Sequence, residues 1–210
     1  MKIKEFINKE YKFDKVTLSA MLAATFVFSA IYGWLYELIF YYINGGGKQW
    51  YWRGACFGPW ILIYGIGSLV IYFVTKKFKS KPWAVFLVGA LSSGVVEGVA
   101  GALIYYIGHK RNWDYNTEIW NWGNIGGFVC LRSVLVFAIS SIMLVYLIIP
   151  LISLIADKAN KKVFCSISFT LFGIYCIDMI YNYALVKLIP SLLSANEFYQ
   201  SLGFAIMKFN

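Results

Sequence analysis

The sequence predicts an all-α fold, a polytopic bundle of about five transmembrane helices with the N-terminus inside and amphipathic segments at both ends. Three observations predict it. Of the 210 residues, 60% are hydrophobic and only 14% charged, whereas soluble domains carry about 25% charged residues. Apolar runs recur along the chain at the length needed to cross a hydrocarbon layer of about 30 Å. The basic residues gather in short turns between those runs, which is the positive-inside pattern. The net charge of +9 therefore points to orientation in a lipid bilayer, and no nucleic-acid partner is expected. Aromatic residues make up 20%, which suits belts of Trp and Tyr at the interfaces.

Residues 1–16 carry Lys2, Lys4, Lys9, Lys12 and Lys15, with Ile3, Phe6, Ile7 and Tyr11 at roughly helical spacing. That pattern fits an amphipathic helix on an anionic leaflet, or a solvated tail. The transmembrane bundle is expected over 17–190. Its first span covers 17–44 and contains Gly33-Trp34-Leu35-Tyr36-Glu37. A loop with Arg53-Gly54 and Gly58-Pro59 leads into a second span, 59–75. Backbone of that kind at a membrane boundary must be satisfied internally or line a polar cavity. Lys76, Lys77, Lys79 and Lys81 make a basic turn before Pro82. The third span, 83–108, is rich in small residues, with Gly94 and Gly98 one helical turn apart beside Glu97, an arrangement that lets membrane helices pack closely. A polar loop from His109 leads to a fourth span, 125–155, with Arg132 inside it. Asp157, Lys158, Lys161 and Lys162 form the next turn, and a fifth span, 163–189, carries Asp178 and Asn182. Residues 191–210 read as an interfacial helix or a loose tail. With these spans, one side receives twelve Lys and Arg and the other six, which sets the N-terminus inside and the C-terminus outside.

The charges inside the spans fall in one layer. At about 1.5 Å of rise per residue, Glu37, Glu97, Asp178 and Arg132 all come out in the outer half of the bilayer. Buried charges are costly there and seek partners, so Arg132 is expected to pair with Glu97 or Glu37. Arg53 and Asp114 sit in the two loops that would close over that face. Such a layer serves either as a polar pocket open to the outside or as an ion-paired plug. Asp178 and Asn182 could equally form an interhelical hydrogen bond. Asp114, in Trp113-Asp114-Tyr115-Asn116, suits an Asx turn or a gate.

Other chemistry has less support. Cys56, Cys130, Cys165 and Cys176 show no CxxC spacing. Cys165 and Cys176 read as small apolar packers, while Cys56 and Cys130 fall near one face, where a disulfide could form. His109 is the single histidine, and no metal is expected. No cofactor is expected, and the absence of a Walker Gly-Lys-Ser/Thr or Gly-x-Ser-x-Gly motif excludes ATP hydrolysis by this chain and that type of hydrolase elbow.

Taken in order, Gly33-Trp34-x-x-Glu37, Arg53-Gly54, Gly58-Pro59, Tyr64-Gly65-x-Gly67, Glu97, Trp113-Asp114-Tyr115, Asn124 to Leu131 and Pro150 resemble the bacterial ABC-transporter permease type IV (CmpB-like) family. The resemblance covers roughly residues 25–157. It departs at Leu62 and Arg132, where the family tends to have proline, and at Asn116, where it has serine. The resemblance implies a multi-pass protein of the bacterial plasma membrane. The expected function is binding or transport of a small polar or charged solute, alone, as a homo-oligomer or with a protein subunit. Glu37, Glu97, Arg132, Arg53, Asp114, Trp113, Tyr115 and Asp178 are the residues expected to bind substrate or relay protons. Two alternatives stay open, a membrane enzyme acting on lipid headgroups or lipid-linked substrates and a non-catalytic partner subunit.

Overall fold

A computed structural model describes Lys9 and residues 11–207. The amphipathic segment expected over 1–16 lies largely outside the described residues. The elements in order are helix α1 (Lys15–Asn44), strand β1 (Tyr51–Trp52), helix α2 (Leu62–Thr75), helix α3 (Pro82–Gly108), helix α4 (Leu131–Lys158), helix α5 (Lys161–Leu188), helix α6 (Ala195–Ser201) and strand β2 (Ala205–Ile206). Among the described residues, α1, α3, α4 and α5 are the helices long and apolar enough to cross a membrane. The second expected span is shorter than its neighbours. α2 has 14 residues, or about 21 Å of rise, because residues 53–61 are spent on a bent loop and the helix begins only at Leu62. The fourth span also starts later than expected, at Leu131, since 125–130 is spent on a turn closed by the Ile125–Val129 bridge. Both α4 and α5 contain a widened π turn, at Leu144–Ile148 and Tyr181–Leu185.

The chain folds as two compact units. One comprises Lys12–Ile66 and Ile155–Met207. Its spine is α1 beside α5. Asp14 caps α1 by accepting from Val16 N–H and Thr17 N–H at 3.1 and 3.2 Å, and it also meets Lys161 Nζ at 2.9 Å. Lys161 and the Thr17 hydroxyl hold the Asp14 carboxyl well below the usual carboxylate range. Further along, the Phe26 ring stands edge-on to Phe172 and Tyr175. These pairs fix α1 and α5 as parallel neighbours. Gly33 exists for a close approach, since a Cβ there would enter the Tyr64 ring. At the far end of the unit, the loop after α1 and the segment after α5 fold on each other. β1 and β2 pair in parallel, Tyr51 with Ala205 and Trp52 with Ile206, and the Trp52 ring stacks on Tyr199 with centroids 3.4 Å apart. Residues 195–207 are thus tied down, and α6 carries a Ser194–Glu197 capping box, a local arrangement that satisfies two end donors at once.

The other unit is built on Gly67–Leu154. In its described part, α3 packs on α4 through small residues. A Cβ at Gly89 would strike Ser141, one at Gly94 would touch Val134, and one at Gly101 would press on Phe128 and Trp113. Ile71, Val85, Leu144 and Val145 form a buried apolar core. Leu87, Leu91, Val95, Val99 and Leu103 line the exposed side of α3 at four-residue spacing, a face that only hydrocarbon or another apolar surface satisfies.

Candidate functional site

The ionisable residues form two clusters, one in each unit. In the unit built on α1 and α5, the stretch Arg53–Trp60 is held by one carboxylate. Asp178 accepts from Phe57 N–H at 3.0 Å, Gly58 N–H at 2.7 Å and the Trp60 indole N–H at 2.9 Å. The Asn182 amide donates to it at 2.7 Å from one turn further along α5. Asn182 also accepts from Ala195 N–H at 2.8 Å, which ties α6 to the same point. The Tyr199 hydroxyl donates to Phe57 C=O at 2.7 Å. With the loop so fixed, Arg53 Nε reaches Glu37 at 2.7 Å, both side chains largely buried, and the guanidinium lies over the Tyr41 ring at 4.2 Å. Cys56 is fully buried here. Burial, with the Asp178 charge nearby, pushes its thiol up to about 12, so it stays protonated. All four cysteines are free thiols, and the disulfide considered for Cys56 and Cys130 is not formed.

In the α3–α4 unit, the loop 109–130 folds over the ends of the two helices. Arg111 stacks on Tyr105 and Phe128 and donates to Gly126 C=O at 3.1 Å. Asp114 turns the chain by accepting from Asn116 N–H at 3.0 Å and from the Asn116 side chain at 2.7 Å, the Asx turn anticipated from sequence. It lies 3.6 Å from Arg111. The Trp113 indole donates to Phe128 C=O at 2.9 Å. Gly127 has φ +80°, and a side chain there would collide with Asp114, Arg111 and Asn116, so glycine is required at the tightest point of the loop. Leu131 N–H donates to Trp122 C=O at 2.7 Å, setting the start of α4 under the loop.

Beneath that loop, five residues form a continuous polar cluster. The Tyr115 hydroxyl donates to Glu97, and the Ser133 hydroxyl lies 2.7 Å from the other Glu97 oxygen. Arg132 meets Glu118 at 2.6 Å, with side chains 9% and 1% exposed, and its guanidinium stands 5.3 Å from the Tyr115 ring centre. Burial and the Glu97 charge raise the Tyr115 hydroxyl well above its ordinary range, so it remains a proton donor at any physiological pH.

The expected pairing of Arg132 with Glu97 or Glu37 is therefore corrected. Arg132 is the second residue of α4, in its first turn, where the loop delivers Glu118. Glu37 is instead taken by Arg53. The eight expected residues separate into Glu37, Arg53 and Asp178 in one unit and Glu97, Trp113, Asp114, Tyr115 and Arg132 in the other. Sequence reasoning missed Glu118 and Ser133. Glu118 had one signal, since a buried arginine needs a buried acid and the loop preceding α4 holds just two acidic residues, Asp114 and Glu118. Ser133 had none. Among the described residues no group of His, Cys, Asp and Glu is placed to hold a metal ion.

No curated protein and no solved structure matches the chain. A family model described as "Putative ABC-transporter type IV" matches residues 24–183, which include every charged residue of both clusters. On that match, and with four helices of membrane-spanning length, the chain is a membrane protein that belongs to the ABC-transporter type IV family.

Proposed function

We propose that the protein is a permease-like component of a bacterial plasma membrane, binding or transporting a small polar or charged solute at the Glu97–Tyr115–Ser133–Arg132–Glu118 cluster. One observation carries this reading. A carboxylate on a membrane-spanning helix, 4% exposed, is held by two hydroxyls beside a buried guanidinium–carboxylate pair. Ionisable groups at membrane depth are expensive, and where they persist they commonly mark solute or proton paths. The parts suit the task. Tyr115 is a fixed donor, Arg132 supplies positive charge for an anionic group, and Glu97 supplies a carboxylate held between the two hydroxyls. The loop 109–130, with Trp113 and Asp114 bracing it, forms the cover.

Glu97→Gln separates this reading from a purely structural one. The glutamine oxygen can still accept from Tyr115. Ser133 can turn its proton to Cys130 C=O, already 2.8 Å away, and accept from the new amide. The fold should persist while the carboxylate charge is gone. In reconstituted vesicles, flux of the transported solute should fall by roughly 10- to 100-fold, the worth of one charge-assisted contact. Unchanged flux would remove Glu97 from the path. A protein that turns over lipid in detergent without any gradient would favour the enzyme reading instead.

A further inference from the structure

The α1–α5 unit has a second feature, at the opposite end from the Asp178-held loop. A groove of about 640 Å³ is lined by Val16, Lys162, Cys165, Ser166, Phe169 and Thr170. Five of these lie on α5 at spacings of three, four, seven and eight from Lys162, so they make one stripe along the helix. The stripe has a charged head at its end and mixed hydroxyl and apolar walls below. We propose that this groove is a binding site for an anionic phospholipid of the leaflet at that end, with its phosphate at Lys162.

Three observations combine. Lys161, next in sequence, is engaged by Asp14 at 2.9 Å, which leaves Lys162 as the exposed ammonium at the mouth of the groove. Several helical hydroxyls of this chain are satisfied within their own helix. Thr25, Thr75, Ser92, Ser140 and Ser141 each return their proton to the carbonyl four residues back, the usual way to satisfy a hydroxyl in an apolar setting. Ser166 and Thr170 face the groove, and no hydrogen bond is formed by either side chain among the described residues. They stand about 6 and 12 Å below Lys162 along the helix axis. A phospholipid matches that ladder, with phosphate on the ammonium beside Val16, glycerol esters one turn lower as acceptors for a hydroxyl, and acyl chains against Phe169. Lys12 and Lys15 stand at the same end of the unit, so charge complementarity favours an anionic headgroup.

The test uses the full chain purified in detergent, with bound lipid counted by native mass spectrometry. Phosphatidylglycerol is titrated against phosphatidylcholine, and glycerophosphate is run as a free headgroup. Wild type should prefer phosphatidylglycerol. Lys162→Gln should cut that preference about fivefold, the worth of one lysine near an anionic surface, while Lys158→Gln, outside the groove, should leave it intact. The double variant Ser166→Val/Thr170→Val should lose both lipids equally, because both carry the esters. Equal loss of preference in Lys158→Gln would mean diffuse attraction, and no preference in wild type would mean ordinary solvating lipid. Binding of glycerophosphate as tight as that of the lipid would mean a soluble phosphate site. Each of these would overturn the proposal. Melting curves for every variant establish that the fold is kept, so that lost binding is not lost structure.

Discussion

At the scale of single residues, the two clusters differ in what removing a charge would leave behind. Arg132 and Glu118 are both buried and face each other at 2.6 Å. Removing one partner strands the other, which costs about 3–5 kcal/mol, whereas replacing both is far milder. Arg132→Met and Glu118→Gln should therefore each lower stability strongly, and the double variant should recover a good part of the loss. A denaturation cycle on the four proteins measures this. Additive effects, with no coupling of about 1 kcal/mol or more, would show that the pair is not the unit described. Asp178 differs in kind. Its acceptors hold backbone N–H groups of the loop, so it positions Arg53 rather than meeting solute. The sequence made it legible that Glu37, Glu97, Asp178 and Arg132 would be buried and partnered, because charge in an apolar span admits no other outcome. It did not reveal which partner each would take. Depth along a helix is readable from 1.5 Å per residue, but rotation about the axis and the fold of the intervening loop are not, and the loop decides both.

At the scale of elements, glycine spacing was the most legible signal. Gly94 and Gly98 on α3 read as a close-packing pair; Gly94 meets Val134 tightly while Gly98 has ordinary room, and the approach is tight also at Gly89 and Gly101, where a Cβ would press on Ser141 and on Phe128 and Trp113. Gly89→Val should drive its branched side chain into Ser141 and cost about 1–3 kcal/mol. Gly89→Ala combined with Ser141→Gly should restore much of the stability, because the contact is exchanged rather than crowded. Thermal unfolding in detergent checks both, and a neutral Gly89→Val would mean that α3 and α4 do not meet there. The beginning of α4 was less legible. Apolar residues 125–130 match a helix in composition, yet Gly126 and Gly127 both take positive φ, a conformation helices exclude. Composition cannot report that until Arg111, Asp114 and Asn116 are seen to fill the space beside Gly127. The final segment also gave little signal, since its hold comes from the Trp52–Tyr199 stack and a two-residue parallel pairing across some 150 residues of chain.

At the scale of the whole molecule, the parallel alignment of α1 and α5 constrains the path through a bilayer. The Asp14–Lys161 ion pair puts the starts of both helices at one end. Single crossings by α1, α3 and α4 would bring the chain to the opposite side before α5 begins. The prediction is that α2 supplies the missing crossing, with the tight turn Lys76–Phe78 after it adding about 6 Å to its own 21 Å. This account expects Lys77→Cys and Lys158→Cys, each in a background lacking the native cysteines, to react with a membrane-impermeant reagent from the same side. Labelling from opposite sides would remove α2 from the crossings. The central claim, a solute site at Glu97, is tested most directly by melting the purified protein against a panel of polar metabolites and ions, wild type and Glu97→Gln together. The account predicts a solute that raises the melting temperature of wild type alone, by mass action on the folded state, while the two ligand-free proteins melt alike. No shift with any solute, together with a variant that melts well below wild type, would contradict it and make the carboxylate a lock between helices.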